Sequence, residues 1–262
     1  MLCVGEHQKL FGEAHSRSDI RLPIIQRELL DEIYKVNKNI VLVLFNGRPL
    51  DITEASEKCE AILDVWYPGT YGAEAIVDMI YGERVPSGKL AISFPRSVGQ
   101  VPVHHEELRT NHYHPVGGKE ANYSCRYIDC VNKPFYEFGF GLSYTSFEYS
   151  KPYISKDKMT RDETITVSID VTNTGEIDAL ETVQLYIHDV NTSYIALPVK
   201  AFKAYKKVMV KAHETVTVQF EIDEEMLKFY DYNMNYISEN GQFTAFVGNS
   251  SNTENYVQFD LV

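Results

Sequence analysis

The sequence predicts an α/β segment built on a parallel sheet, followed by an antiparallel β-sandwich. In the first part, continuous apolar runs alternate with helical periodicity, which is typical of buried parallel strands connected by helices. In the second part, polar and apolar residues alternate with a period of two, as in strands with one buried face. We therefore predict two domains, at residues 1–145 and 146–262, with a long connector at about 95–145.

Short apolar runs rich in β-branched residues predict the strands of the parallel sheet. The clearest lies at residues 40–45 and ends at Asn46-Gly47. Further apolar stretches lie at 61–66 and 90–94. A strand end at Leu2–Gly5 opens the sequence with no preceding turn, so we expect a truncated sheet whose first strands are missing.

Two helices are predicted between these strands. The first begins after Pro23, because a helix start does not need the N–H that proline lacks. It spans about 14 residues, with apolar side chains recurring on one face. The second covers residues 71–81, with an inward face. The apolar positions are Ile25, Leu29, Ile33 and Val36 in the first helix, and Ala75, Ile76, Met79 and Ile80 in the second.

The alternating second half predicts six or seven short strands over about 110 residues, the number typical of a β-sandwich. The best-defined runs lie at 164–171, 183–187, 199–210, 215–222, 243–247 and 256–261.

Composition and charge exclude some classes of partner. Asp and Glu number 37 and Lys and Arg 25, for a net charge of −12. Affinity for nucleic acid comes from cationic contacts that release counterions, so we expect no nucleic-acid partner. No apolar run approaches the roughly 20 residues that span a bilayer, so no membrane interaction is expected.

The connector is rich in proline, glycine, aromatic residues and histidine. Its four histidines, His104, His105, His112 and His114, are candidates for a metal site. Without cysteine or suitably spaced carboxylates beside them, loop histidines are the favoured interpretation, and no metal or other cofactor is expected. Cys125 and Cys130 are either free thiols or a disulfide.

The loop from Gly5 to Asp19 holds three carboxylates, two histidines and an arginine, and it follows a strand end, the edge of an α/β sheet where ligands bind. It is either a solvated connector or a catalytic loop that offers a carboxyl group to a polar substrate.

Motifs that follow one another along the chain decide between these interpretations. In order they are VGEH…GEAHSRSDIRLPIIQ, VLVLFNGRPL, WYPGTYG, PSGKL with FPRS and GQVP, RYID, and YEFGFGLSYT. This ordered set resembles glycoside hydrolase family 3, the β-glucosidase family. The later runs ETVQLY and FKAYKK are similar to the fibronectin type III-like domain at the C-terminus of that family.

The resemblance implies a retaining glycosidase that acts on a β-linked glucoside or oligosaccharide. Such enzymes need two carboxyl groups about 5–5.5 Å apart, a nucleophile and an acid/base. In the family, the nucleophile is an Asp on an N-terminal barrel of about 250 residues, which this sequence lacks. We therefore expect a C-terminal fragment that is inactive alone and exposes a sheet edge through which it could self-associate. The alternative is a non-catalytic module that binds carbohydrate or a partner, or serves as a scaffold.

By its position in the motif, Glu13 is the predicted acid/base. Glu6 is the reserve candidate, although its place directly after the strand favours a loop-orienting hydrogen-bond acceptor. His15 and Arg17 either bind sugar hydroxyls or hold the loop, with Arg17 paired to Asp19 or Glu13. Trp66 is predicted as a core residue, with sugar stacking as its alternative.

Overall fold

The structure, a computed structural model, describes residues 1–108, 127–190 and 195–262. It contains two compact units, which interleave along the chain. The first consists of Met1–Arg84, Ile92–Val103 and Ile128–Tyr136, and the second of Val85–Ala91, His104–Tyr127 and Glu137–Val262. The division into domains at residue 145 stays a prediction.

The first unit contains a three-stranded parallel sheet in the order β1-β2-β3. The strands are β1 (Leu2–Gly5), β2 (Val41–Phe45) and β3 (Ala61–Asp64). Strand β2 is central, and its apolar side chains at 42, 43 and 44 are fully buried. The continuous apolar runs therefore form a parallel sheet, as predicted.

Three α-helices accompany this sheet: α1 (Ile24–Val36), α2 (Thr53–Lys58) and α3 (Gly72–Ile80). Helices α1 and α3 confirm the predicted ones, whereas the short, polar α2 was not predicted. The apolar face predicted for α1 is largely wrong: Ile25, Leu29 and Val36 are exposed and Ile33 is half-buried. The buried residue of this helix is Leu30, which the predicted face did not include. On α3, Ala75 is exposed and the other predicted inward residues are half-buried.

The predicted strand at 90–94 is wrong. The backbone of residues 90–94 is hydrogen-bonded to residues that come later in the chain. The N–H of Leu90 donates to the Phe140 carbonyl at 2.8 Å, and the N–H of Phe94 donates to the Tyr136 carbonyl at 2.8 Å. These residues therefore have hydrogen-bond partners outside the sheet. Only Phe94 forms an isolated bridge, with Tyr136, and a short 3-10 helix follows at Val98–Gln100.

The second unit is a sandwich of two sheets. One has the order β10-β7-β4, with β5 also paired to β7, and the other has the order β6-β14-β13-β8-β9. The strands are β4 (Phe147–Tyr149), β5 (Tyr153–Ile154), β6 (Lys158–Met159), β7 (Ile165–Asn173), β8 (Ala179–Asp189), β9 (Ala201–Val210), β10 (Thr215–Ile222), β13 (Gly241–Gly248) and β14 (Tyr256–Leu261).

A short helix, α4 (Glu224–Leu227), and a two-stranded hairpin, β11 (Phe229–Tyr230) with β12 (Tyr236–Ile237), connect β10 to β13.

Side-chain alternation along the strands builds the core of the sandwich. On β7, Ile165, Val167 and Ile169 are fully buried. They share one apolar core with buried side chains of β8, β10, β13 and β14. The period-two pattern therefore confirms the antiparallel sandwich. Strand β9 ends its sheet and exposes Lys206 and Lys207.

Candidate functional site

Polar side chains follow all three parallel strands where each strand ends. Glu6 comes directly after β1, Asn46 and Arg48 follow β2, and Asp64 is the last residue of β3. Because parallel strands end at one edge of the sheet, these residues lie at the edge where α/β proteins bind ligands.

The Glu6 carboxylate is completely buried between two guanidinium groups. Its Oε1 lies 3.0 Å from Arg17 Nη1 and 3.2 Å from Arg48 Nε. The Gly47 N–H completes the set, donating to Oε2 at 3.4 Å. A buried carboxylate is tolerated when charged hydrogen bonds satisfy it in this way. Glu6 is therefore a loop-orienting acceptor, as its position after the strand predicts.

Arg48 also holds the loop that carries Glu13. Its Nη2 donates to the Leu10 carbonyl at 2.6 Å and to the His15 carbonyl at 3.0 Å. These two carbonyls lie on either side of Glu13 in the sequence. The guanidinium therefore connects both ends of the loop tip to Glu6.

Aromatic packing holds the same loop against the end of β2. The Phe11 and Tyr67 rings stack with centroids 4.0 Å apart, and the Tyr67 hydroxyl donates to the Glu6 carbonyl at 3.1 Å. A Cβ at Gly47 would lie 2.8 Å from Phe11 and 2.9 Å from Tyr67. The glycine of the NGRP motif therefore leaves room for this ring pair.

Glu13 lies at the exposed tip of the loop. Gly12 and Ala14 beside it both have positive φ, 94° and 61°. His15 Nδ1 donates to the Glu13 carbonyl at 2.6 Å. Among the residues that the structure describes, none donates a hydrogen bond to the Glu13 carboxylate. The Glu13 side chain is therefore exposed to solvent.

The other predicted site residues have different surroundings. His15 is exposed, whereas Arg17 is half-buried, pairing with Glu6 and donating to the Arg21 carbonyl at 3.3 Å. Asp19 pairs with Arg21, and these hydrogen bonds hold the pKa of the Asp19 carboxyl below its usual range. The predicted pairing of Arg17 with Asp19 or Glu13 is therefore wrong, because Arg17 pairs with Glu6 and Asp19 pairs with Arg21.

Half-buried Asp64 and fully buried Asn46 form a second polar pair. Burial raises the Asp64 pKa to about 6, against the opposing effect of hydrogen bonds from the Trp66 N–H and the Asn46 side chain. Asp64 Oδ2 and Asn46 Oδ1 are buried and have no hydrogen-bond partner within the described ranges. Trp66 is half-buried and packs edge-on against buried Phe94, with centroids 6.0 Å apart.

Histidine and cysteine form no metal centre within residues 1–108, 127–190 and 195–262. His105 stacks on Phe138 at 4.1 Å, and burial lowers its pKa. Cys130 is a free thiol. His112, His114 and Cys125 lie outside the described residues. No helix in the described part of the chain is long and apolar enough to cross a membrane.

Family comparisons agree with the fold. Residues 1–144 match the glycosyl hydrolase family 3 C-terminal domain, and residues 181–251 match a fibronectin type III-like domain. The class of protein is thus that of glycoside hydrolases with an α/β domain and a β-sandwich. The chain belongs to glycosyl hydrolase family 3.

Individual relatives share most of this chain but extend well beyond it. A periplasmic β-glucosidase of Salmonella typhimurium is 44% identical over 99% of the chain, and a β-xylosidase of Formosa agariphila is 38% identical over 97%. The β-glucosidase of Listeria innocua, solved with glucose, superposes with a TM-score of 0.94 at 37% identity, covering 99% of the chain and 36% of that structure. The chain spans about a third (34%) of the length of the two curated relatives.

Proposed function

We propose that this chain is the C-terminal part of a retaining β-glycosidase that removes terminal sugars from β-linked glucosides or oligosaccharides. Its membership of glycosyl hydrolase family 3 supports the reaction class. Relatives described as β-glucosidases and β-xylosidases support the β-linkage, and the glucose complex of the Listeria innocua enzyme supports a glucoside.

Glu13 is the proposed acid/base. The observation that carries this assignment is an exposed carboxyl with no hydrogen-bond donor in the described chain, on a loop held on both sides by Arg48. As an acid, Glu13 protonates the leaving glycosidic oxygen; as a base, it then takes a proton from the attacking water. The nucleophile is an Asp on a preceding barrel domain outside this sequence.

Exposed His15 is proposed to bind sugar hydroxyls beside Glu13. Arg17, whose guanidinium is paired with Glu6, is proposed to contribute mainly by holding the loop, with its remaining donors available to substrate. Because the proposed nucleophile lies on that barrel domain, we expect the chain alone to bind substrate weakly and to turn none over.

The test uses the longer protein that carries this sequence, with the isolated chain assayed in parallel. In Glu13→Ala, kcat/KM on phenyl β-glucoside, whose leaving group needs protonation, should fall by roughly 10²–10⁴, the usual contribution of an acid/base. Azide should partly restore turnover of nitrophenyl β-glucoside and release a glycosyl azide, because an anion can attack the covalent intermediate without a base.

The matched control is Glu83→Ala, which removes another exposed carboxylate of the same unit and should leave activity unchanged. Full activity in Glu13→Ala would remove Glu13 from the acid/base role. Multiple turnovers by the isolated chain would contradict the proposal that the nucleophile lies on a preceding barrel domain. A longer protein that binds glucosides but never cleaves them would favour the non-catalytic alternative.

A further inference from the structure

One guanidinium group connects three separate parts of the loop region. Arg48 approaches the Glu6 carboxylate through Nε, at 3.2 Å from Oε1. Through Nη2 it donates to the carbonyls of Leu10 and His15, at 2.6 and 3.0 Å. The six-residue segment bounded by these carbonyls contains Glu13.

The shape of arginine suits this arrangement. Its planar group presents donors in fixed directions, so a contact made by one edge orients the other. Glu6 is itself fixed by Arg17 and by the Gly47 N–H, so the carboxylate sets the plane of Arg48. A lysine in place of Arg48 would provide one ammonium, which cannot reproduce these directions.

The tip of the loop needs external support. The positive φ of Ala14 is unfavourable for a residue with a Cβ, and such conformations persist when surrounding contacts impose them. The two bonds from Arg48 fall just outside the Gly12–Ala14 turn, where they restrict both of its ends. The direction of the Glu13 side chain depends on this turn.

We propose that Arg48 is a positioning residue for Glu13, with Glu6 as its anchor. This inference rests on the proposed acid/base role of Glu13. Arg48 makes no contact with the reacting atoms; it keeps the carboxyl at the angle and distance that proton transfer requires. A misplacement of about 1 Å in such a group can lower the rate by about 10²-fold.

If this proposal holds, the loss of rate on removing Arg48 depends on the leaving group of the substrate. Departure of phenol from a phenyl β-glucoside needs a proton, whereas dinitrophenolate leaves readily without one. If Arg48 positions the acid, its loss should slow the first substrate far more than the second. A defect in folding or in sugar binding would slow both substrates equally.

The kinetic test compares Arg48→Ala and Arg48→Lys in the longer protein. For both variants we expect kcat/KM to fall by about 10²-fold on phenyl β-glucoside, and by less than about 10-fold on dinitrophenyl β-glucoside. Added guanidinium ion should partly restore the alanine variant on the phenyl substrate. The control Arg21→Ala, whose side chain pairs with Asp19 in the same loop, should change neither value.

A second measurement does not depend on catalysis. Amide hydrogen exchange of this chain, with and without Arg48→Ala, should show faster exchange at residues 11–16 and unchanged exchange in β2. Unchanged loop exchange overturns the proposal, whatever the kinetics show. Equal losses on both substrates also overturn it but leave Glu13 as the acid/base, whereas an active Glu13→Ala variant overturns the proposed function itself.

Discussion

Single side chains at the sheet edge differ in how the fold compensates their charge. Glu6 is buried between two guanidinium groups. Asp64 instead keeps one carboxylate oxygen buried with no hydrogen-bond partner in the described part of the chain, and burial raises its pKa to about 6. Ionised Asp64 is therefore a cost to the folded state at neutral pH.

This cost has a predictable pH dependence. The folded pKa of about 6 exceeds the value of about 3.9 expected in the unfolded chain. The folded state therefore binds more protons between these values, and the contribution of Asp64 to stability decreases as pH rises from about 4 to about 6.

In the variant Asp64→Asn, the side chain cannot ionise, so the stability that ionised Asp64 costs the folded state should be regained. We expect the free energy of unfolding of this chain to rise by about 1–2 kcal/mol at pH 7, and the gain to vanish below pH 4. Urea denaturation across this range measures the difference. The exposed Asp129→Asn serves as the control, and a gain independent of pH would contradict the explanation.

Residue types and motif order predict part of the site. They place Glu13 on a loop at the sheet edge and Glu6 at the end of a strand. They do not identify the partners of Arg48, which are Glu6 and two loop carbonyls, because these lie 33 to 42 positions away in sequence. The raised pKa of Asp64 was also missed, since it depends on burial that no local pattern reveals.

Among the secondary-structure elements, β1 is attached to β2 through an unusually close contact at its end. Gly5 has φ of 150°, and a Cβ there would lie 1.8 Å from the Phe45 carbonyl oxygen. Its own N–H and carbonyl are both hydrogen-bonded to the Gln26 side chain of α1, at 2.9 Å. Only glycine permits this junction of β1, β2 and α1.

The substitution Gly5→Ala should therefore separate the ends of β1 and β2. We expect the free energy of unfolding to fall by at least about 2 kcal/mol, because the backbone oxygen of Phe45 cannot move away from the new Cβ as the end of a flexible side chain could. Chemical denaturation of the chain measures this loss. Gly69→Ala is a matched control, since a Cβ at Gly69 meets nothing within 4 Å, and equal stability of the two variants would contradict the argument.

Elements with a strong, long periodic pattern were predicted well, and short ones were not. Strand β10 has the predicted bounds, and β7 differs from its predicted run by one or two residues at each end. Helix α2 has six polar or small residues and no apolar periodicity, so its sequence gives no signal. The apolar run at 90–94 resembles a strand, but later segments of the chain take its hydrogen bonds.

For the whole molecule, the change from continuous apolar runs to alternating ones was sufficient to predict both fold classes. What the patterns could not predict is which apolar faces stay uncovered. In the first unit, α1 exposes Ile24, Ile25, Leu29 and Val36, and β1 ends its sheet. Clustered exposed apolar residues and a free strand edge are features of surfaces that associate.

We expect the isolated chain to self-associate reversibly through this face. Light scattering coupled to gel filtration should give a mass above 30.0 kDa that decreases on dilution, under reducing conditions that exclude disulfides of the exposed Cys3. Ile25→Glu should shift the mass toward the monomer, whereas Asn39→Glu, a charge just beyond the helix, should not. A monomer at all concentrations would contradict the expectation.

The exposed lysines of β9, Lys206 and Lys207, affect a different kind of assembly, in which strands of successive copies pair edge to edge into fibres. If a second copy aligned with this edge, its own Lys206 and Lys207 would meet the same two ammonium groups, and their repulsion would oppose each added copy. Salt screens such repulsion. Concentrated salt would therefore weaken the protection of this edge while leaving every buried contact of the sandwich intact.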